Sequence, residues 1–186
     1  MIVTAMVMAF RRVFRRCPAR SGSSGALEQE SSSDSAQDPL PPSQSASRDY
    51  FLTQRKTLDP LENRVVLILI QPDPGVSDLE RFLKQLELTL QPAIRQDDRL
   101  ASIPEEHQLL IIARIPAGNG ESLLTRLAEV IRREEVAWCA GKKEAGTRSS
   151  VALAVYPTDG TEFQALMNLA RRRLERGICW NIQPPA

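Results

Sequence analysis

The run VVLILIQ, at positions 65–71, places the strongest constraint on how this chain can fold. It is apolar up to its last residue, rich in β-branched side chains and bounded by proline-containing sequence, a pattern typical of a strand buried on both faces. The sequence therefore predicts a central sheet with helices packed on it.

Amphipathic patterns around this strand predict the other elements. Two helices follow capping boxes at 77–80 and 161–164, in which a Ser or Thr is followed three residues later by Glu or Gln. The apolar residues of three predicted helices share one face each: Leu79, Phe82, Leu83, Leu86 and Leu90; Leu123, Leu124, Leu127, Ala128 and Ile131; and Phe163, Leu166, Met167, Ala170 and Leu174. The predicted strands are 65–71, 99–103, 108–115, 136–140, 149–157 and 178–182, with helices near 79–90, 120–134 and 161–174 and a short lead-in helix at 48–58.

The resulting order, β-α-β-β-α-β-β-α-β, predicts an α+β fold. Helices that alternate with hairpins favour a mostly antiparallel sheet with helices packed on it, as in ferredoxin-like or palm domains. The chain contains no internal repeat.

Composition divides the chain into a tail and one domain. Residues 17–47 are dominated by Ser, Pro, Gln, Gly and Ala, which predicts a flexible linker because such a segment buries too little apolar surface. We therefore expect a disordered tail at 1–47 and a domain at 48–186. At 1–16 the apolar residues precede the arginines, the reverse of a secretory signal. The alternatives there are an unordered start and a helix that contacts a membrane surface.

Charge and cysteine usage exclude several classes of protein. A net charge of +1 gives no basic excess for nucleic-acid binding. Three widely spaced cysteines and one histidine fit neither a disulfide framework nor a zinc site, so we expect a reducing cytoplasm and no resident metal. No apolar run reaches the length of a membrane span.

Three segments, in the right order, carry a family resemblance. "SSVALAVYPTDG" (149–160) is similar to S-I-G-V-A-x-Y-P-x-D-G, and "FQALMNLARRRLERG" (163–177) is similar to LLxxADxALYxAKxxG. "RQDDRLASIPEEHQLLII" (95–112) lies without a gap on RxxDxxxxxGGDEFxxLL. Over residues 49–182 the chain thus resembles a GGDEF domain, the catalytic fold of bacterial diguanylate cyclases, which implies a bacterial cytoplasmic signalling protein.

The resemblance also shows which catalytic features are replaced. Pro104 and Glu105 stand at the two glycines, although glycine is the residue that reaches unusual backbone conformations at low cost. Glu106 keeps the metal-binding acid, whereas His107 replaces the next carboxylate. The Asp-x-Asp at the end of the first strand becomes Gln71-Pro72-Asp73, and a neutral amide is a poor ligand for Mg²⁺.

Further replacements lie downstream of the first strand. Only "PGVSDLER" (74–81) stands in place of the family's longer segment that recognises guanine. Within it, Asp78 or Glu80 is a candidate for one of the recognition carboxylates. Arg171 stands at the helix Asp, and Ile178 stands at the Lys of the AK pair. Phosphoryl transfer depends on a metal and on positioned cations. The resemblance therefore implies a domain without cyclase activity and with no catalytic residues.

One ligand-binding feature of the family is retained. Arg95 and Asp98 form the RxxD of the inhibitory site that binds cyclic di-GMP, and a further Arg from the following helix completes it. Arg132 is the best match for that third residue and Arg126 the second. A guanidinium can pair with a phosphate or a guanine edge, and a carboxylate can accept from guanine N–H groups. The simpler alternative is that Arg95 and Asp98 are ordinary surface residues.

Three functional hypotheses follow from these residues. The first is an inactive effector that senses cyclic di-GMP or docks a protein partner. The second is a purely protein-binding scaffold, and the third is a residual cyclase that uses Glu106 and Asp73 for metal. We interpret His107 as a solvated turn residue. The arginines of 171–176 form a solvated helix face in this interpretation, with contact to an acidic partner or a phosphate as the alternative. Trp138, Cys139, Cys179 and Trp180 are interpreted as residues that fill or border the core.

Overall fold

The computed structural model describes residues 42–117, 121–140 and 149–176. The side chains of residues 42, 43 and 121 are not included. Within these ranges the α-helices and strands follow in this order: α1 (Pro42–Lys56), β1 (Asn63–Pro72), α2 (Leu79–Leu90), β2 (Arg99–Ile103), β3 (Gln108–Pro116), α3 (Glu121–Cys139), β4 (Ser149–Tyr156) and α4 (Phe163–Glu175). None of the described helices combines the length and the apolar content that a membrane-crossing helix requires.

The four strands form one sheet in the order β2-β3-β1-β4. Every pairing is antiparallel, and β1 is hydrogen-bonded on both sides, to β3 and to β4. Ile68, for example, lies between Ile111 of β3 and Leu153 of β4. The predicted α+β palm-type fold is confirmed, and the 65–71 run is its central strand.

Side chains of β1 alternate between two separate cores, as the period of a strand requires. Val66, Ile68 and Ile70 pack in one core with residues of α2 and α3. Val65, Leu67 and Leu69 pack in the other with residues of α1 and α4. The helices therefore cover both faces of the sheet in pairs, and the apolar face predicted for each of α2, α3 and α4 is the one that is buried, with Leu79 only partly so.

One predicted strand is wrong. Residues 136–139 continue α3, which ends at Cys139, and Ala140 lies in the turn that follows. A short apolar run does not distinguish a strand from the end of a helix by its periodicity. Here Trp138 points into the α2/α3 core, with its ring 5.3 Å from that of Phe82, while Val136 is 63% exposed. The predicted strand at 178–182 lies outside the described residues, as do Cys17, Ile178, Cys179 and Trp180.

The lead-in helix is confirmed, but it starts earlier than predicted. Because α1 begins at Pro42, residues 42–47 belong to this helix and not to the predicted linker. Pro is well suited to the first turn of a helix. The Ser- and Gln-rich composition of 42–47 predicts a linker, but the same helix is held to the core further along by Phe51. Phe51 is fully buried, and its ring lies 5.8 Å from those of Tyr156 and Phe163. The rest of the predicted tail, 1–41, lies outside the described residues.

Neither predicted capping box is formed with its Ser or Thr as the N-cap. Each helix begins one residue later, after Asp78 and after Glu162, and neither of these side chains makes a capping hydrogen bond. Asp78 adopts the left-handed conformation (φ 57°). Glu162 instead pairs with Arg55 of α1 at 3.1 Å. A tertiary contact thus takes the place of the local bond at the start of α4.

A cluster of hydrogen bonds fastens β4 to α4. The Asp159 carboxylate accepts from the backbone N–H of Val155 at 2.9 Å and from both terminal nitrogens of Arg173, each at 2.9 Å. Arg173 also donates to the carbonyl of Leu153 in β4. Both charged side chains are largely buried, with 29% and 19% of their surface exposed. This pairing holds the last described helix against the edge of the sheet.

We expect Arg173→Met to lower the free energy of unfolding by about 1–3 kcal/mol, because it leaves a largely buried carboxylate without its charged donor. The measurement is urea denaturation followed by circular dichroism. Arg172→Met is the matched control, since Arg172 is exposed on the same helix and should change stability by less than about 0.5 kcal/mol. Equal losses in the two variants would contradict the role given to this cluster.

Candidate functional site

The turn between β2 and β3 is built without glycine. Pro104–Glu106 forms a single 3-10 turn, and His107 follows in the left-handed conformation with φ 50°. The N–H of His107 donates to the carbonyl of Pro104 at 3.1 Å, which closes the turn. His and a few other polar residues tolerate this conformation better than most side chains do. Glu105 and His107 are exposed.

Glu106 is committed to a bidentate ion pair with α4. Arg171 donates from Nε to Oε2 at 2.8 Å and from Nη2 to Oε1 at 2.6 Å. The two side chains expose only 22% (Arg171) and 32% (Glu106) of their surface. Arg171 also reaches Asn168 with its third nitrogen, at 3.4 Å. Paired planar contacts of this kind are among the stronger hydrogen bonds in proteins, so both oxygens of Glu106 are occupied.

The end of β1 carries Gln71 and Asp73 at the two positions where the resemblance places metal-binding carboxylates. Gln71 lies opposite Ser150 of β4, and its side chain is a neutral amide. The exposed Asp73 folds back on its own turn, where Oδ1 accepts from the N–H of Gly75 at 2.8 Å. Within residues 42–117, 121–140 and 149–176, no three His, Cys, Asp or Glu side chains are grouped so as to hold an ion. Mg²⁺ prefers carboxylate and phosphate oxygens, whereas both oxygens of Glu106 already accept from Arg171 and Gln71 offers only an amide, so these residues do not fit a resident Mg²⁺.

Arg95 and Asp98, the two residues of the RxxD, are brought together in one turn. The backbone N–H of Arg95 donates to Oδ2 of Asp98 at 2.9 Å, and the N–H of Asp98 donates to the carbonyl of Arg95 at 3.0 Å. Asp98 is 9% exposed, whereas the Arg95 side chain is exposed. Asp98 is therefore first of all a turn-forming residue, and Arg95 is the more accessible partner.

Burial raises the pKa of Asp98 above the usual range for aspartate. Backbone hydrogen bonds from Arg95 and Arg114 and the charges of Arg95 and Arg126 oppose this effect but do not cancel it. Arg126 is thus the α3 arginine whose charge acts on the Asp98 carboxylate. Arg132, predicted as the better match, lies more than one turn further along α3.

A cleft of about 560 Å³ opens beside this turn. It is polar, and it lies between α1, the start of β1, the RxxD turn and the end of β3. The hydroxyl of Tyr50 in α1 donates to the carbonyl of Asp97, which ties the helix to the turn. The cleft is lined by Tyr50, Gln54, Thr57, Asn63, Arg95, Gln96, Asp97, Asp98, Arg114 and Pro116.

Of the residues that line this cleft, the sequence predicts only Arg95 and Asp98 as ligand-binding, and Arg114 and Tyr50 are among those that it does not predict. Arg114 is a lone charge in the apolar strand β3, a signal that was available in the sequence. Tyr50 lies in the lead-in helix, whose packing the sequence did not define. The sequence also does not predict the partner of Glu106, although Arg171 stands where the GGDEF resemblance places an acidic residue. We expected a solvated helix face there, and for Arg171 and Arg173 that interpretation is wrong.

The raised pKa of Asp98 predicts a pH dependence of stability. Because the folded protein binds this proton more tightly than the unfolded chain does, stability should fall as the pH rises from about 3.9, the pKa of an unfolded aspartate, through the higher pKa of the folded state. Asp98→Asn should remove this contribution while its amide oxygen still accepts the Arg95 N–H. Urea denaturation at a series of pH values measures the effect, and an unchanged pH profile in Asp98→Asn would contradict it.

Asp98→Ala is the matched comparison for that measurement. It removes the acceptor as well as the charge, so a buried N–H is left without a partner, and it should cost about 1–3 kcal/mol.

Comparison with known proteins identifies the fold. No protein-family model matches the sequence, and no curated protein matches it. Among solved structures, an EAL/GGDEF domain protein from M. capsulatus matches with a TM-score of 0.50 and 19% identity, over 77% of this chain and 100% of that one. A sensory box/GGDEF family protein from Caulobacter crescentus CB15 matches with a TM-score of 0.50 and 20% identity, over 71% of this chain and 85% of that one. The chain has a GGDEF-like fold.

Proposed function

We propose that this chain is a GGDEF-fold domain that has lost cyclase activity and acts as an effector in cyclic di-GMP signalling. In this role it binds cyclic di-GMP beside Arg95 and Asp98 and passes the signal to a protein partner. The observation that carries the loss of activity is the bidentate pair between Glu106 and Arg171. The observation that favours a retained ligand is the polar cleft that opens at the RxxD turn.

The argument against catalysis is electrostatic. Phosphoryl transfer needs a metal and cations aimed at the charge that develops on the phosphates. Both oxygens of Glu106 already accept from Arg171, and a metal would have to displace a guanidinium that is itself largely buried. Gln71 and His107 add no carboxylate at that end of the sheet. The pair therefore stabilises the hairpin in a form in which both Glu106 oxygens already have a charged donor.

The argument for ligand binding rests on accessibility and chemistry. The Arg95 guanidinium is exposed at a cleft whose volume lies in the usual range for small-molecule sites. Guanidinium groups suit phosphate oxygens and the acceptor edge of guanine. The amides of Gln54 and Asn63, in the same lining, offer both donors and acceptors for a base. A nucleotide with two phosphodiester groups fits this mixture better than an apolar ligand does.

We expect no turnover of GTP in the presence of Mg²⁺ or Mn²⁺. The assay follows pyrophosphate and cyclic di-GMP, with a no-protein blank and an active diguanylate cyclase run in parallel. Pyrophosphate above the blank that disappears in Glu106→Gln would overturn the loss of activity and would favour the residual-cyclase hypothesis.

Calorimetry with cyclic di-GMP tests the effector role. We expect saturable heat for the unaltered chain and at least tenfold weaker binding for Arg95→Ala, a loss of about 1.4 kcal/mol or more. Arg81→Ala is the matched control, because Arg81 is an exposed arginine of α2 outside the cleft. Absence of heat in the unaltered chain would refute cyclic di-GMP binding and leave the purely protein-binding scaffold.

A further inference from the structure

We propose that Arg114, near the end of β3, is the second phosphate-binding cation of the cleft at Arg95, and that α1 forms the opposite wall of the ligand site. This inference rests on the proposed binding of cyclic di-GMP. It places the ligand on the α1 side of the sheet, and it assigns the charge that pairs with the second phosphate to a strand residue instead of an arginine of α3.

The first support is the position of the cleft. The described residues that line it come from α1, the start of β1, the RxxD turn and the end of β3, and none of them belongs to α3. The two helices lie on opposite faces of the sheet, since α1 packs in one core with α4 and α3 packs in the other core with α2. The charge of Arg126 in α3 lowers the pKa of Asp98, but Arg126 is not among the described residues that line the cleft.

The second support is the direction in which Arg114 projects. Leu110 and Ile112, the preceding residues on the same side of β3, belong to the core shared with α1. Because side chains alternate along a strand, Arg114 continues that face and emerges where the apolar core ends. Its position opposite Val65, near the start of β1, brings it to the mouth of the cleft.

The third support is the positive charge at the RxxD turn and at the end of β3, where Arg95 and Arg114 line the cleft and Arg99 is the next residue after Asp98. Among the described residues, no carboxylate lies within 4 Å of the guanidinium of Arg95, Arg99 or Arg114. Arg99 adds a buried Nε that has no acceptor in the described part of the chain. The nearby Asp98 carboxylate is occupied by the backbone N–H groups of Arg95 and Arg114. Such guanidinium groups are suited to an anion that enters from solvent.

The fourth support is the chemistry of the α1 wall. Tyr50 is fixed by its bond to the Asp97 carbonyl, so its half-buried ring is held in place beside the RxxD turn. A fixed aromatic ring offers a stacking surface for a nucleobase. Gln54 follows one helical turn later on the same wall and can hydrogen-bond to a base edge. The wall and the two arginines together fit a ligand that carries both bases and phosphates.

The test is calorimetry with cyclic di-GMP on single variants of the full chain. We expect Arg114→Ala to weaken binding at least tenfold, and Arg126→Ala and Arg132→Ala to change it less than twofold. Arg114→Lys retains the charge without the paired geometry and should give an intermediate loss, which keeps the test decisive if Arg114→Ala does not fold. Arg81→Ala again controls for the loss of one exposed arginine.

The possible outcomes separate this inference from the proposed function. A loss in Arg126→Ala or Arg132→Ala as large as that in Arg114→Ala, with Arg95→Ala still defective, overturns the α1-side placement and leaves the effector role intact. Absence of binding in the unaltered chain overturns both. As an independent readout, ligand should slow amide hydrogen exchange in 45–56 of α1, and protection confined to α3 would also overturn the placement.

Discussion

Burial of β1 on both faces is the constraint on which the rest of this structure depends. Its side chains alternate between two cores. Each core is covered by a pair of helices, because an apolar face of the strand left exposed to water would be costly. The position of every described helix follows from that requirement. Because β1 pairs with β3, it also sets the position of the β2–β3 hairpin. This hairpin carries residues 104–107 and is contacted by Arg171 of α4.

The pair between Glu106 and Arg171 links stability to the proposed loss of activity. A carboxylate at this partly buried turn is costly unless a cation neutralises it. In an enzyme of this fold a bound metal would supply that charge; here a guanidinium from α4 does so with two short hydrogen bonds. The contact that makes the acidic residue tolerable in the fold also occupies both of its oxygens, so Arg171 contributes to stability and supports the proposed loss of activity.

The RxxD turn shows how one residue can both stabilise a turn and belong to the proposed ligand site. The Asp98 carboxylate satisfies the N–H of Arg95 inside the turn, and that bond fixes the backbone from which the Arg95 side chain projects into solvent. Tyr50 fastens α1 to the next residue of the same turn. The shape of the cleft therefore depends on the packing of a helix whose extent the composition of the sequence obscured.

The sequence by itself determined the strands, the helix faces and the hairpin, because period and apolar pattern encode which side of one element is buried. It erred at 136–140, at the start of α1 and at both capping boxes, where Trp138, Phe51 and Arg55 make contacts that local pattern does not contain. Only the tertiary structure decided that Arg171 pairs with Glu106, 65 residues away, and that Arg114 joins Arg95 at one cleft. The physical reason is that such pairings depend on how separate faces pack together, and no local pattern along the chain records that geometry.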